Sequence, residues 1–287
     1  MAHFAPKSIL CPLDLSSASP QVLRWAALLA NLYRAKLQIL HAEWAEYPLY
    51  FLPSYIEELS AAAGKTREII RGNLKSLLKE NLPTTTPYEI AILEGHPVET
   101  ILKYSEQHNP DLIVMGSHGR SGLARMRLGS VAENVVQQTS TPTLVVRAPG
   151  GKPVPSRISR ILCPVTLEKH ATESVSLSAV LAATSAAQLI IVHAEKEIRT
   201  PDAYPRQLCD VVPTDIRDHC ELIELIRKGS AAEQILLVAR EHSVDIITLA
   251  AKHRRFLDFT VIGNTTEMVM RHADSAVLIV PITGGAI

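Results

Sequence analysis

The chain has 287 residues, of which 47% are hydrophobic, 20% charged and only 5% aromatic. This length and composition are typical of about two ordinary α/β domains and exclude an intrinsically disordered chain. Basic and acidic side chains both number 29, so the formal net charge is zero and nothing global favours nucleic acid or an anionic membrane.

Neither a leader nor a membrane span is expected. Segment 1–10 lacks an apolar core of signal-peptide length, and the weakly polar stretch 177–192 is interpreted as a buried helix running into a strand. The four cysteines lack metal-type spacing. We therefore expect a cytoplasmic protein with reduced thiols and no membrane insertion, with a disulfide between Cys209 and Cys220 as the open alternative.

Strands and helices alternate through the first part of the chain. The predicted strands are 7–12, 37–41, 88–93, 111–116 and 143–147, and the predicted helices are 19–33, 54–81, 97–108 and 130–139. Ser19 is expected to cap the first helix, and Ser54 and Glu57 stand at capping-box spacing in the second. The alternation predicts an α/β fold with a parallel sheet covered by helices on both faces.

An aromatic cluster follows the second predicted strand. Its members are Trp44, Tyr47, Tyr50, Phe51 and Tyr55. We interpret it either as the cover of a ligand or partner site or as a local hydrophobic patch under a long loop.

A glycine frame follows the fourth predicted strand. Gly116 and Gly119 are separated by two residues, and nine more residues lead to Gly129 and Ser130 at the start of a predicted helix. Glycine lets the backbone approach an anion closely, and the free N–H groups of a helix N-terminus point at it. The frame therefore indicates a phosphate-binding loop, with a simple tight turn as the alternative.

The later part of the chain repeats the earlier part. The sequence Ile-Leu-Cys-Pro occurs at 9–12 and 161–164, and Gly129 corresponds to Gly263. The first match has an offset of 152 residues and the second an offset of 134, so residues are lost between them in the second copy. The long second helix is therefore predicted to be mostly missing from that copy. Segment 148–156 is rich in proline and glycine and is interpreted as a linker. The predicted division is a first domain at 1–148, a linker at 149–157 and a second domain at 158–287.

These motifs resemble the nucleotide-binding universal stress proteins. The resemblance is carried by the glycine frame, by the Asp two residues after a Pro at the end of the first strand, and by the His-Ala pair that ends the second. It covers nearly the whole chain twice, so the chain resembles a tandem universal stress protein. It implies two open α/β sandwich domains, each with a five-stranded parallel sheet covered by helices on both faces, and ligand sites at the carboxyl ends of the strands.

Carried over position by position, the resemblance implies an adenine-nucleotide site in the first domain. The residues placed beside the adenosine and at the pocket floor are Pro12, Asp14, Ala42, Met115 and Gly116. Those placed along the phosphates and ribose are Gly119, Arg120, Gly129, Ser130 and Val131. At the position of Ala42 the family often has Val, so the contact with the base is expected to be slightly looser.

Two of these residues keep a second interpretation. Asp14 could instead cap the first helix or form an Asx turn, and Arg120 could be a solvated loop charge. No dedicated nucleophile stands beside the expected phosphates, and no carboxylate pair is set to hold Mg²⁺. We therefore expect binding of ATP or another adenine nucleotide with at most slow hydrolysis, and leave open whether Mg²⁺ accompanies it.

The second domain is expected to bind ATP poorly or not at all. Ala250 and His253 stand where the first domain has two glycines, Thr166 replaces the aspartate and Asn264 replaces the serine. Only Gly263 of the frame is retained. We interpret this domain as mainly structural or regulatory.

A metal or catalytic site in the second domain is an alternative. Cys163, His193 and His253 are all expected at the carboxyl ends of neighbouring strands, and thiolate with imidazole suits zinc or a nucleophile with its base. A scaffold role is favoured for the first two, because Cys11 and His41 occupy the same positions in the first domain.

An interaction scaffold without ligand chemistry is the other alternative. The resemblance implies that the domains pair through their last strands, so that segments 143–146 and 276–280 meet within one chain and cover two sheet edges. Association of two chains into a homodimer stays open. The function expected overall is stress response or signalling, in which a nucleotide biases a conformational or assembly state toward an unidentified partner.

Overall fold

The structure is a computed structural model that describes residues 4–44, 53–117, 128–148, 150–166, 172–195, 212, 214–217, 219–251, 254–256, 259–261 and 263–282. Within these ranges, side chains are described except at 53–63, 172, 215–216, 254–256 and 259–261. The first half of the chain contains β1 (Ser8–Pro12), α1 (Ser19–Tyr33), β2 (Lys36–Glu43), α2 (Pro53–Asn81), β3 (Tyr88–Glu94), α3 (Pro97–His108), β4 (Leu112–Gly116), α4 (Ser130–Gln138) and β5 (Thr143–Val146). The predicted alternation of strands and helices is confirmed, with each boundary within two residues of the expected one.

The second half repeats this order with two changes. It contains β6 (Arg160–Pro164), α5 (Thr172–Ser185), β7 (Gln188–Glu195), α6 (Thr214–Arg217), β8 (Leu222–Lys228), α7 (Ala231–Glu241), β9 (Ile246–Ala251), β10 (Arg254–Phe256), β11 (Phe259–Val261), α8 (Asn264–His272) and β12 (Ala276–Pro281). Helix α6 has four residues where α2 has 29. The antiparallel hairpin of β10 and β11 was not predicted.

The start of α1 corrects one expectation. Ala18, not Ser19, is the N-cap residue, and it makes no side-chain capping bond. The Ser19 hydroxyl instead donates to Oδ1 of Asp14 at 3.1 Å. The capping box expected at Ser54 and Glu57 lies outside the described side chains.

The two halves share one ten-stranded sheet. Its strand order is β3-β2-β1-β4-β5-β12-β9-β6-β7-β8, and all neighbours are parallel except β5 and β12. These two strands pair antiparallel, with Val145 opposite Val277 and Leu144 opposite Leu278. The last strands thus meet within the chain as the resemblance implies, and each half contributes five parallel strands.

Helices cover both faces of this sheet. On β1, Ile9 and Cys11 belong to one buried cluster and Leu10 to the other, as alternation along a strand requires. The first cluster packs under α1, α2 and α5, and the second under α3, α4, α7 and α8. Strands buried on both faces explain the continuous apolar runs of the sequence.

The segment between β5 and β6 contacts both halves. The N–H of Lys152 donates to the Asp274 carbonyl at 2.9 Å, and its ammonium donates to the Val244 carbonyl at 3.0 Å. The carbonyl of Lys152 accepts from Nε2 of Gln21 at 2.7 Å. This residue therefore ties α1 to the second half.

Within the described part of the chain, no helix has the length and apolar character needed to cross a membrane.

Candidate functional site

A cavity of about 400 Å³ lies in the first half, at the carboxyl ends of β1, β2 and β4. The strand order of this half is β3-β2-β1-β4-β5, so the chain reverses its direction of progress between β1 and β4. Open α/β sheets bind ligands at such a switch point. The volume falls in the range of small-molecule sites.

The cavity brings together most of the residues that the sequence predicts for a site. Its lining includes Pro12, Asp14, Ala42, Met115, Gly116, Gly129, Ser130 and Val131. Gly119 and Arg120 lie outside the described residues. Four elements, β1, β2, β4 and α4, therefore bring these residues to the place where the resemblance implies one pocket.

Asp14 is held in a turn directly after β1. Its Oδ1 accepts from the Ser16 N–H at 3.0 Å and from the Ser19 hydroxyl at 3.1 Å. Leu15, inside this turn, has a positive φ of 60°. The Asx turn offered as the alternative role of Asp14 is thus present, and the same side chain also lines the cavity.

The first turn of α4 forms the polar end of the cavity. Gly129 is its extended N-cap residue, and the Gly129 N–H donates to the Ser117 carbonyl at 2.7 Å. Ser117 is itself anchored, because its N–H donates to the Val146 carbonyl at 2.8 Å. The N–H groups of the next residues, 130–132, have no acceptor within the helix and carry the positive end of its dipole. This end of the cavity suits an anion.

An apolar wall of the cavity comes from β2. Leu40, Ala42 and Trp44 alternate along the chain, so they share one face of the strand and its extension, and all three line the cavity. The Trp44 side chain contacts the His96 ring, with centroids 4.1 Å apart and planes at 70°. The other members of the aromatic cluster, Tyr47, Tyr50, Phe51 and Tyr55, fall outside the described residues or side chains.

A glycine turn places the start of α3 beside this wall. Gly95 has a φ of +143°, and its N–H donates to the Glu43 carbonyl at 3.0 Å. His96 and Pro97 follow at once and line the cavity. The second half keeps the turn, since Gly229 has a φ of +136° and donates to the Glu195 carbonyl at 2.8 Å.

Several lining residues were missed by the sequence analysis. They include Ser19, His96, Pro97, Ile101 and Ser117. The glycine shared by both repeats at 95 and 229 was the signal that could have marked the turn before α3. No comparable signal marked Ser117 or Ile101.

The charge of the described lining is low. Asp14 provides its only carboxylate, and no lysine or arginine occurs among those lining residues. The described residues also contain no group of three or more His, Cys, Asp or Glu side chains that could hold a metal ion. Among the described lining residues, backbone N–H groups and hydroxyls are therefore available to an anion.

His193 makes the same kind of contact in the second half as His41 makes in the first, and Cys163 is buried as fully as Cys11. Nδ1 of His193 lies 3.0 Å from the Val165 carbonyl oxygen, and Nδ1 of His41 lies 2.7 Å from that of Leu13. A carbonyl oxygen only accepts, so each ring nitrogen donates. Cys163 is fully buried, and desolvation raises the pKa of its thiol to about 11. His253 lies outside the described residues.

Comparison with known proteins identifies relatives for both halves. The model of the universal stress protein family matches residues 6–147 and 216–281. A universal stress protein of Methanocaldococcus jannaschii is 32% identical over 148 residues, which cover 50% of this chain and 83% of the relative. A second protein of that family from the same organism is 28% identical over 153 residues, covering 49% of this chain and 94% of the relative.

A solved structure matches the complete two-half arrangement. The crystal structure of a universal stress protein from Archaeoglobus fulgidus superposes with a TM-score of 0.73 at 22% identity. The match covers 96% of this chain and 99% of that one. At this identity the likeness shows a shared fold.

Proposed function

The chain belongs to the universal stress protein family, and from this premise we propose that its first half binds ATP or another adenine nucleotide in stress response or signalling. The observation that carries the proposal is the cavity at the sheet's switch point, which joins an apolar wall to the N-terminal turn of α4. One end therefore suits a nucleobase and the other suits phosphate oxygens.

The residues present fit such a ligand by chemistry. The N–H groups of 130–132 and the Ser130 hydroxyl would donate to phosphate oxygens. Asp14 would accept from a ribose hydroxyl or from the amino group of the base, and Ala42 and Val131 would contact the base. Gly119 and Arg120 are proposed to extend the phosphate side of the same site.

Hydrolysis is proposed to be slow or absent. Among the described lining residues Asp14 is the single carboxylate, and its Oδ1 already accepts two hydrogen bonds from the turn. The described lining thus offers no pair of carboxylates to position Mg²⁺ and an attacking water. If Mg²⁺ takes part, it would be held chiefly by the phosphates.

The second half is proposed to have a structural or regulatory role. Gly263 is the extended N-cap residue of α8, with a φ of −62° and a ψ of 144°, so the helix begins as α4 does in the first half. Thr166, however, replaces the carboxylate of Asp14, and Ala250 replaces Gly116. We expect weak nucleotide binding or none in this half.

The proposal is tested by filling the cavity from its apolar wall. Ala42→Phe would place a large ring in the space proposed for the base, and overpacking of this kind costs about 1–3 kcal/mol. We expect the affinity for ATP to fall roughly 10- to 100-fold. Calorimetric titration and mass spectrometry of co-purified nucleotides measure the affinity and the stoichiometry, with and without Mg²⁺.

The repeat supplies the control. Ala194 occupies the corresponding position on β7 and, like Ala42, is partly buried. We expect Ala194→Phe to leave ATP binding unchanged at about one nucleotide per chain, a stoichiometry that follows from one competent half. Two nucleotides per chain, or loss of binding only in Ala194→Phe, would contradict the assignment. Stoichiometric zinc without nucleotide would favour the alternative at Cys163 and His193.

A further inference from the structure

We propose that Trp44 is a specificity-determining residue that stacks on the planar base of the ligand and so selects nucleobase-containing anions over plain phosphates. This inference rests on the proposed function and adds the residue that reads the base. Its starting point is an aromatic side chain that lines the cavity yet has 48% of its surface exposed.

The position of Trp44 follows from strand alternation. Leu40 and Ala42 precede it on the cavity side of β2, and Trp44 comes one residue after the strand ends. Ala42 is small, so the wall is recessed next to the large indole. A flat ring lying over Ala42 would meet Trp44 at the rim and cover apolar surface that water now contacts.

The indole is held in place from one side. The His96 ring packs against it at 70° with centroids 4.1 Å apart, an edge-type aromatic contact. His96 in turn is fixed by its neighbours, because Gly95 bonds to the carbonyl of Glu43 and Pro97 begins α3. This arrangement orients Trp44 before any ligand arrives and leaves nearly half of its surface available.

Comparison of the two halves distinguishes the Trp44–His96 pair from the residues with structural roles. Residues with structural roles recur in both halves: Cys11 with Cys163, His41 with His193, and Gly95 with Gly229. The Trp44–His96 pair does not recur, since Lys196 and Ser230 stand at the corresponding positions. Both members of the pair line the cavity of the first half. A role in the ligand site explains this difference better than a role in folding.

Tryptophan fluorescence tests the stack directly. The chain has two tryptophans, and Trp25 is only 3% exposed within the core under α1. ATP should therefore change the emission of wild type and of Trp25→Phe, and should leave the emission of Trp44→Phe unchanged. Stacking of a base on an aromatic side chain is strong enough that Trp44→Ala should weaken ATP binding roughly 5- to 100-fold. Trp44→Phe, which keeps a ring, should weaken it less.

Inorganic triphosphate, which has no base, supplies the matched ligand control. Measured as a competitor of ATP, it should bind wild type and Trp44→Ala equally well. Equal ATP affinity of wild type and Trp44→Ala would overturn the role of Trp44 while leaving the proposed function intact. An equal loss of triphosphate and ATP binding would show that Trp44 only shapes the site, which also overturns the inference. Absence of ATP binding in wild type would end both proposals. Because Trp44 is half exposed, its variants are expected to fold, and circular dichroism checks that they do.

Discussion

At the scale of single residues, burial decides what the thiol of Cys163 can do. The side chain has no exposed surface and belongs to the buried cluster under α5. Desolvation raises the pKa of the thiol to about 11, and interactions with the Ser178 and Ser174 side chains offset only part of that rise. The thiolate is the reactive form of cysteine, so almost none is present at neutral pH. These properties favour a packing role over that of a nucleophile.

Thiol labelling can distinguish the two roles. In a Cys209→Ser variant at neutral pH, we expect a small alkylating reagent to modify the partly exposed Cys220 and to leave Cys11 and Cys163 unmodified. Mass spectrometry of tryptic peptides reports each site separately. If Cys163 reacted faster than Cys220, it would be an activated cysteine, and the catalytic alternative in the second half would gain support.

The residues at strand ends were the easier part of the site to predict from sequence. Pro12, Asp14 and Gly129 stand beside recognisable strands or helix starts, and the resemblance assigns each a chemical reason to be there. Ser117 and Ile101 carry no such mark, because their place in the cavity depends on which segments the finished sheet brings together. Tertiary position, which a single sequence does not encode locally, explains why they were missed.

At the scale of elements, two glycine turns set where α3 and α7 begin. Gly95 and Gly229 each follow the third strand of their half, and each has a positive φ that L-residues rarely adopt. A Cβ at Gly95 would lie 2.8 Å from Oγ1 of Thr100, a short and buried side chain. A Cβ at Gly229 would meet the end of the Gln234 side chain at 2.9 Å, which is long enough to move away.

Alanine at these two positions should separate a site effect from a stability effect. Both Gly95→Ala and Gly229→Ala are expected to lower the free energy of unfolding by about 1–3 kcal/mol, because of the strained φ. The loss should be larger for Gly95→Ala, since Thr100 cannot retreat. Only Gly95→Ala should weaken ATP binding, because it displaces His96 and Pro97 at the cavity. Urea denaturation and calorimetric titration measure the two quantities, and equal binding losses in both variants would contradict this role of the turn.

Most elements could be predicted because their patterns are local. Apolar runs indicated the strands, and Pro, Gly and Ser residues next to the helices indicated the helix ends to within two residues. The N-cap of α1 was predicted at the wrong residue because the Ser19 hydroxyl donates a hydrogen bond to Asp14. This contact depends on the turn after β1. The hairpin of β10 and β11 was missed because the segment was interpreted only as a damaged copy of the glycine loop.

At the scale of the whole molecule, the two halves form one packed body. Strands β5 and β12 join the two sets of parallel strands into one sheet. The buried cluster under α1, α2 and α5 runs through both halves, from Ile9 to Val280. The repeat and the resemblance together predicted the joint between the last strands. The bridge through Lys152 was not predicted, because its partners Gln21, Asp274 and Val244 are far apart in the sequence.

This continuity predicts that the halves unfold together. Cys11 and Cys163 are repeat counterparts, both fully buried, and each reports on its own half. In pulse labelling across a urea series, we expect both thiols to become reactive at the same urea concentration. Because ATP would bind the folded state alone, a ligand concentration of 100 times Kd should stabilise that state by about 2.7 kcal/mol. The shift should appear at Cys163 as fully as at Cys11, although the proposed site lies in the first half.

The Ala42→Phe variant distinguishes coupling from ligand binding. At the same ATP concentration its shift should fall from about 2.7 kcal/mol to roughly 0.4–1.4 kcal/mol, while Cys11 and Cys163 should still become reactive together. If Cys163 were labelled at lower urea than Cys11 and did not respond to ATP, the halves would be independent domains that merely touch. The shared sheet would then transmit nothing from the first half to the second. A common shift at both thiols would instead mean that nucleotide bound in the first half stabilises the second half through the β5–β12 pairing and the common core. The second half would then respond to a ligand that it does not itself bind.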